Sequence, residues 1–128
     1  MKSKKYKVKN MPTTKGRTIE ENNKNYFGYN DKRKHYAYVY DSDGDYRNNI
    51  LISTKPTRTI KRNGKSKVFN NIELDRHPNP KYKPKNKNDK VYLMTRKYRD
   101  YKGNIEIRKG WKFANTDISK VNKIITKK

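Results

Sequence analysis

A chain of 128 residues with 35 Lys and Arg against 12 Asp and Glu carries a formal charge of +23 and a pI near 10.2, so it repels itself, and a neutralising partner is the simplest reason for such a composition. The sequence shows no long apolar run and no basic amphipathic helix with Trp, Phe and Leu on its other face; a membrane partner is therefore excluded and nucleic acid expected, RNA slightly ahead of DNA. It contains no cysteine, which excludes a disulfide framework and a Cys-ligated zinc site.

Apolar residues make up 30% and charged residues 37%, a balance close to that of disordered chains. Eleven Tyr, three Phe and one Trp are nevertheless spread along the sequence, enough bulk for the core of one small domain. Residues 1–25 are polar and without period and read as a basic flexible arm, which leaves 26–128 as a single β-rich unit. No apolar stretch follows the basic N-terminus, so the expected location is the cytoplasm or the inside of a phage particle.

The first clear element is a hairpin. His35 to Asp41 alternates Tyr36, Tyr38 and Tyr40 with Ala37 and Val39; Asp43-Gly44 suits a two-residue turn; and Tyr46 to Thr54 returns with Ile50, Leu51 and Ile52 as a strand end buried on both faces. Pro56 ends that strand. Lys55 to Lys67 then places Lys55, Arg58, Lys61, Arg62, Lys65 and Lys67 around Asn63-Gly64 with no acid among them, a basic loop or ribbon tip, and Val68 to Leu74 alternates as a short strand.

Pro78, Pro80 and Pro84 make Arg76 to Lys90 a loop, and Arg76, Lys81, Lys83, Lys85 and Lys87 along it could track a phosphate backbone. Val91 to Tyr98 and Ile105 to Phe113 read as a second hairpin around Lys102-Gly103. A helix capped by Thr116 or Asp117 follows, with Ile118, Val121, Ile124 and Ile125 on one face and Lys127 and Lys128 at its end. These elements predict a mainly β, α+β fold: a small strongly bent sheet, or an SH3-like or OB-like open barrel, with a C-terminal helix.

The spacing Asp41-x-Asp43-x-Asp45 begins like a calcium loop but has Tyr46 where Gly is required and Ile52 where a bidentate Glu is required, so it reads as a turn; no metal and no cofactor are expected. His35 and His77 are candidate acid–base groups only because their ordinary pKa lies near neutrality. Tyr82, between Lys81 and Lys83, is the best candidate for stacking on an unpaired base, whereas Trp111 is assigned to the core. No zinc-finger, KH, RNP or Walker motif is present, so the expectation is backbone recognition without base specificity.

The Tyr-rich strand followed by Ile50 to Thr57 resembles the central hairpin of small toxin endoribonucleases of the PemK/MazF and ToxN/AbiQ group. That resemblance implies an SH3-like barrel, metal-independent RNA cleavage by Ser53, Thr54 and Lys55 with His35 or His77, and an acidic protein or RNA antitoxin as partner. Two non-enzymatic readings stand beside it. One is a clamp on the phosphate backbone of RNA or DNA; the other is a basic structural component of a phage particle or ribosome-like assembly.

Overall fold

A computed structural model describes residues 25–86 and 88–127. The expected arm, all but Asn25, lies outside them, as do Lys87 and Lys128. The described chain is mainly β, with a bent, unclosed antiparallel sheet and one C-terminal helix, as expected. In chain order the elements are β1 (Tyr26–Asn30), β2 (His35–Asp43), β3 (Tyr46–Ser53), β4 (Thr57–Arg62), β5 (Lys65–Asn70), β6 (Ile72–Leu74), β7 (Val91–Tyr101), a single 3-10 turn (Lys102–Asn104), β8 (Ile105–Arg108) and α1 (Asn115–Thr126).

Six strands form one sheet in the order β6-β7-β3-β2-β1-β8, while β4 and β5 pair only with each other. Alternation divides the sheet into two faces. Phe27, Tyr38, Ile50, Ile52 and Leu93 point to one side, where Trp111, Phe113 and the Val121, Ile124 and Ile125 stripe of α1 cover them. Phe27 and Phe113 lie 4.8 Å apart between ring centroids, and Tyr38 meets Phe113 edge-on at 4.9 Å. Each such ring or branched side chain contributes about 1.5–3 kcal/mol by leaving water, which explains how so polar a sequence still folds.

The opposite face curls inward. It carries Tyr26, Val39, Ala37, Leu51 and Met94, all buried, and it ends in a polar knot. Asn30 on β1 donates through Nδ2 to Asp100 on β7 at 2.9 Å and to Asn49 on β3 at 3.0 Å. With β2 and β3 between them, β1 and β7 would lie about 14 Å apart in a flat sheet; a direct hydrogen bond between them therefore requires strong curvature.

Several boundaries differ from the sequence reading. The β2–β3 turn is centred on Gly44-Asp45, because Asp43 still pairs with Tyr46 and Gly44 takes the positive φ of +59°. Val68 to Leu74 is not one strand: Asn71 separates β5 from β6, and Val68 is 60% exposed. The second hairpin does not form. β7 runs on to Tyr101 along β3, and the 3-10 turn carries the chain across the curl so that β8 pairs with β1 instead. β8 stops at Arg108, Gly110 turns the chain at φ +79°, and Trp111 and Phe113 enter the core without ladder pairing. Strand β1 was missed by the sequence reading; its Gly28 allows β8 to lie close, since a Cβ there would meet Ile105 Cγ2 at 2.5 Å and the Glu106 carbonyl at 2.8 Å.

The helix N-cap lies two or three residues before the expected Thr116 or Asp117. Ala114, whose methyl group offers no acceptor, holds the N-cap position, and the carboxylate of Asp117 is spent elsewhere: it accepts the backbone N–H of Asp75 at 2.8 Å and of Arg76 at 3.3 Å, and Lys120 Nζ at 2.9 Å. Thr116 likewise turns away and donates to Asp75. The side chains expected to start α1 thus tie it to the loop after β6. Among the described residues no helix is long and apolar enough to cross a membrane.

Candidate nucleic-acid interface

The segment Lys55 to Lys67, expected as a basic loop or ribbon tip, is largely a β-ribbon. Asn63 and Gly64 adopt φ of +51° and +74°, the type I′ geometry that matches strand twist, and Arg62 pairs with Lys65 across the turn. Register then sorts the side chains. Arg58 opposes Phe69, Ile60 opposes Lys67 and Arg62 opposes Lys65 on one face; Thr57 opposes Asn70, Thr59 opposes Val68 and Lys61 opposes Ser66 on the other. Four of the five ribbon cations and both bulky apolar groups with inward burial therefore share a face, and Lys61 lies on the opposite one.

That face looks onto β7. A groove of about 770 Å³ runs between Ile60, Arg62, Lys65, Lys67 and Phe69 on the ribbon and Arg96 on the sheet. Arg58, on the same ribbon face but outside the groove lining, donates through Nη1 to the Tyr98 hydroxyl at 3.1 Å. The guanidinium carbons of Arg33 and Arg96 lie 4.2 and 5.0 Å from the Tyr98 ring centroid. Three arginines thus converge on one tyrosine. Ion pairs of this cluster among the described residues run to Asp100 alone, from Arg33 at 2.9 Å and from Lys32 at 3.9 Å; Arg58 and Arg96 have none.

Burial acts to raise the Asp100 carboxyl, but hydrogen bonds from Arg33, Asn30 and Asn49, with the Arg33 charge, outweigh it and hold the pKa below the usual carboxylate value. Asp100 is therefore ionised and fixes Arg33, whose backbone N–H is also held by Asn30 Oδ1 at 3.1 Å.

At the ribbon's base a second cleft of about 650 Å³ brings together His35, Ser53, Thr54, Lys55 and Arg58, with Lys34 and Asn71 at its wall. All the residues to which the resemblance assigns cleavage, apart from His77, meet here. Ser53 is buried, and its Oγ accepts the backbone N–H of Lys55 at 3.1 Å, which shapes the turn into the ribbon. Asn71 Nδ2 donates to the Lys55 carbonyl at 2.9 Å and clamps the same turn. Two atoms in this wall, Arg58 Nε and Asn71 Oδ1, are buried without a hydrogen-bond partner, a donor and an acceptor whose satisfaction a ligand could provide.

The Arg76 to Lys90 loop lies apart from both. It lines a separate cavity of about 490 Å³ together with Glu73 and Asp75, which precede it in the chain, so these two acids and the loop's own Asp89 stand beside Arg76 and Lys90. Lys81, Lys83 and Lys85 are exposed. Tyr82 is only partly exposed; it stacks on His77 at 4.1 Å and 14°, and His77 meets Trp111 edge-on at 5.3 Å. This ring stack gives Tyr82 and His77 a part in the core, and burial lowers the His77 pKa to about 4.

Asp41, Asp43 and Asp45 each have a separate partner: Asn48 donates to Asp41 at 3.3 Å, Arg99 pairs with Asp43 at 3.1 Å and Lys102 with Asp45 at 3.4 Å. Arg33, Arg96 and Phe69 were not singled out from sequence. Phe69 was within reach, since i, i+2 alternation on either side of Asn63-Gly64 puts it with Arg58 and Arg62; the approach of Arg33 and Arg96 depends on sheet curvature. Searches of known protein families, curated proteins and solved structures find no match to this chain.

Proposed function

We propose that this protein grips the phosphate backbone of a nucleic acid between the cationic face of the β4–β5 ribbon and Arg96 of β7. One observation carries the reading: Arg58, Arg62, Lys65 and Lys67 share a single ribbon face, opposite Arg96, and no acid lies between Lys55 and Asn71. Charge placed this way destabilises the ribbon by self-repulsion, and an approaching polyanion reverses that cost while releasing counterions. The test is fluorescence anisotropy with labelled RNA and DNA across a salt series. Affinity should fall steeply with salt, and Arg62→Gln and Arg96→Gln should each reduce the log–log slope by roughly 0.7–0.9. A slope unchanged in both variants would overturn the reading.

A second reading is favoured by the cleft that assembles His35, Thr54, Lys55 and Arg58 at the ribbon's base. In RNA held there, His35 would take the 2′-hydroxyl proton as O2′ attacks phosphorus, the 5′-oxygen would leave with a proton taken from water, and Lys55 and Arg58 would stabilise the phosphorane charge, leaving a 2′,3′-cyclic phosphate and a 5′-hydroxyl. Cleavage of RNA in EDTA that His35→Ala and Lys55→Ala abolish, while anisotropy still shows binding, would support it; intact RNA with the unsubstituted protein would eliminate it.

A further inference from the structure

The ribbon groove is more than a strip of charge, because its floor is apolar. Ile60 and Phe69 stand on the same face as the four cations. Phe69 carries Arg58 at 5.0 Å and Lys67 at 5.1 Å from its ring centroid, and Arg96 closes the far wall. A purely electrostatic clamp has no use for an aromatic plane between cations, whereas a nucleotide has both parts: a flat base with two π-faces and a phosphate.

We propose that this groove takes an unpaired nucleotide of a single-stranded nucleic acid, its base stacked on Phe69 beside Ile60 and its phosphate against Arg62 and Arg96. The inference rests on the nucleic-acid reading and sharpens it. A base within a duplex is already stacked on its neighbours and cannot enter the groove without being extruded. Single strands are therefore preferred over duplexes, and base identity matters little because every base offers a π-face. Tyr98 supports the site from below: its hydroxyl holds Arg58, and its ring holds Arg96 and Arg33.

The experiment uses the full chain and 12-nucleotide RNA and DNA oligomers carrying one 2-aminopurine, each as a single strand and annealed to its complement. The single strands should bind with strong quenching of 2-aminopurine, and the duplexes should bind more weakly without quenching. Phe69→Leu should remove most of the quenching and weaken single-strand binding about tenfold, whereas Val68→Thr, on the opposite ribbon face, should do neither. Phe69→Trp provides a readout that does not depend on the leucine variant folding: the native Trp111 is buried, so new emission from position 69 should be quenched by the single strand. The RNA and DNA arms separate the two possible sources of the nucleotide.

Binding without any quenching, or equal affinity for duplex and single strand, would overturn the base pocket and leave the backbone grip standing. Absence of binding to every oligomer at low salt would overturn both. Displacement of the oligomers by poly-glutamate at equal charge concentration would instead identify the groove as a site for an acidic protein.

Discussion

The Arg33 guanidinium lies over the ring of Tyr98 at 4.2 Å while its nitrogens bond the buried carboxylate of Asp100. Curvature of the sheet makes this possible, since Arg33 follows β1 whereas Tyr98 and Asp100 lie on β7. The same contact ties a fold-stabilising charge to the arginine cluster that faces the ribbon. Replacing Asp100 with Asn keeps the shape but removes the charge, and hydrogen bonds to charged groups contribute about 1.5–3 kcal/mol; thermal melts of Asp100→Asn should show a loss of that order. The folded pKa of Asp100 is depressed below 3.8, so its contribution is complete above pH 3.8 and disappears as pH falls through the lower folded value. Asp100→Asn should therefore lose less stability on acidification than the native chain.

The ribbon is separable from the main sheet, and its turn is the place to show this. Gly64 sits at φ +74° with open space around it, so Gly64→Ala imposes only the left-handed strain of about 1 kcal/mol. Because β4 and β5 pair with no strand of the main sheet, global melting should change by no more than a few degrees while affinity for single-stranded oligomers falls severalfold. A large drop in melting temperature with unchanged affinity would show that the ribbon stabilises the sheet instead of serving binding.

Close approach at Gly28 gives the opposite profile. Its backbone lies against β8, and an added Cβ would press on both Ile105 and the Glu106 carbonyl. The carbonyl belongs to the ladder and cannot swing away. Gly28→Ala should cost about 2 kcal/mol, in the range of overpacked sites, and lower the melting temperature by several degrees. Hydrogen exchange should localise the opening to β1 and β8, with the ribbon unaffected.

The parts of the molecule that were legible in the sequence are those set by local rules. Alternation at Tyr36, Tyr38 and Tyr40 announced β2, the triplet Ile50, Leu51 and Ile52 announced a strand buried on both sides, and three prolines announced the loop after β6. Asn63-Gly64 announced a turn, although the cationic stretch around it obscured strands whose outward faces are Thr, Ser and Val. Non-local pairing was not legible. Lys102-Gly103 permits a hairpin, but the longer register of β7 along β3 and the place for β8 beside Gly28 outweigh it. Charge density singled out the ribbon cations and the Arg76 to Lys90 loop alike. The fold adds that Glu73, Asp75 and Asp89 line one cavity with that loop, whereas no acid lines the ribbon groove.

His77 offers a last measurement, one that separates a structural role from a catalytic one. Its ring stacks on Tyr82 and meets Trp111 edge-on, and its Nδ1 accepts the backbone N–H of Asn79 at 2.9 Å, so the neutral imidazole fits and a proton on Nδ1 would break that bond. Burial lowers the folded pKa to about 4 from an ordinary value of 6.5. Between these values the unfolded chain binds a proton that the folded chain refuses, and stability must fall as pH drops from 6.5 toward 4. His77→Asn can still accept from Asn79 but cannot titrate or stack; it should melt lower than the native protein at pH 7, by the loss of about 0.5–1.5 kcal/mol expected for a ring pair, and show a flatter profile between pH 6.5 and 4.5. Parallel profiles for the two proteins would show that His77 is not the titrating group. Oligonucleotide binding by His77→Asn at pH 7 should match that of the native chain, because the stack lies outside both the ribbon groove and the cleft that holds His35.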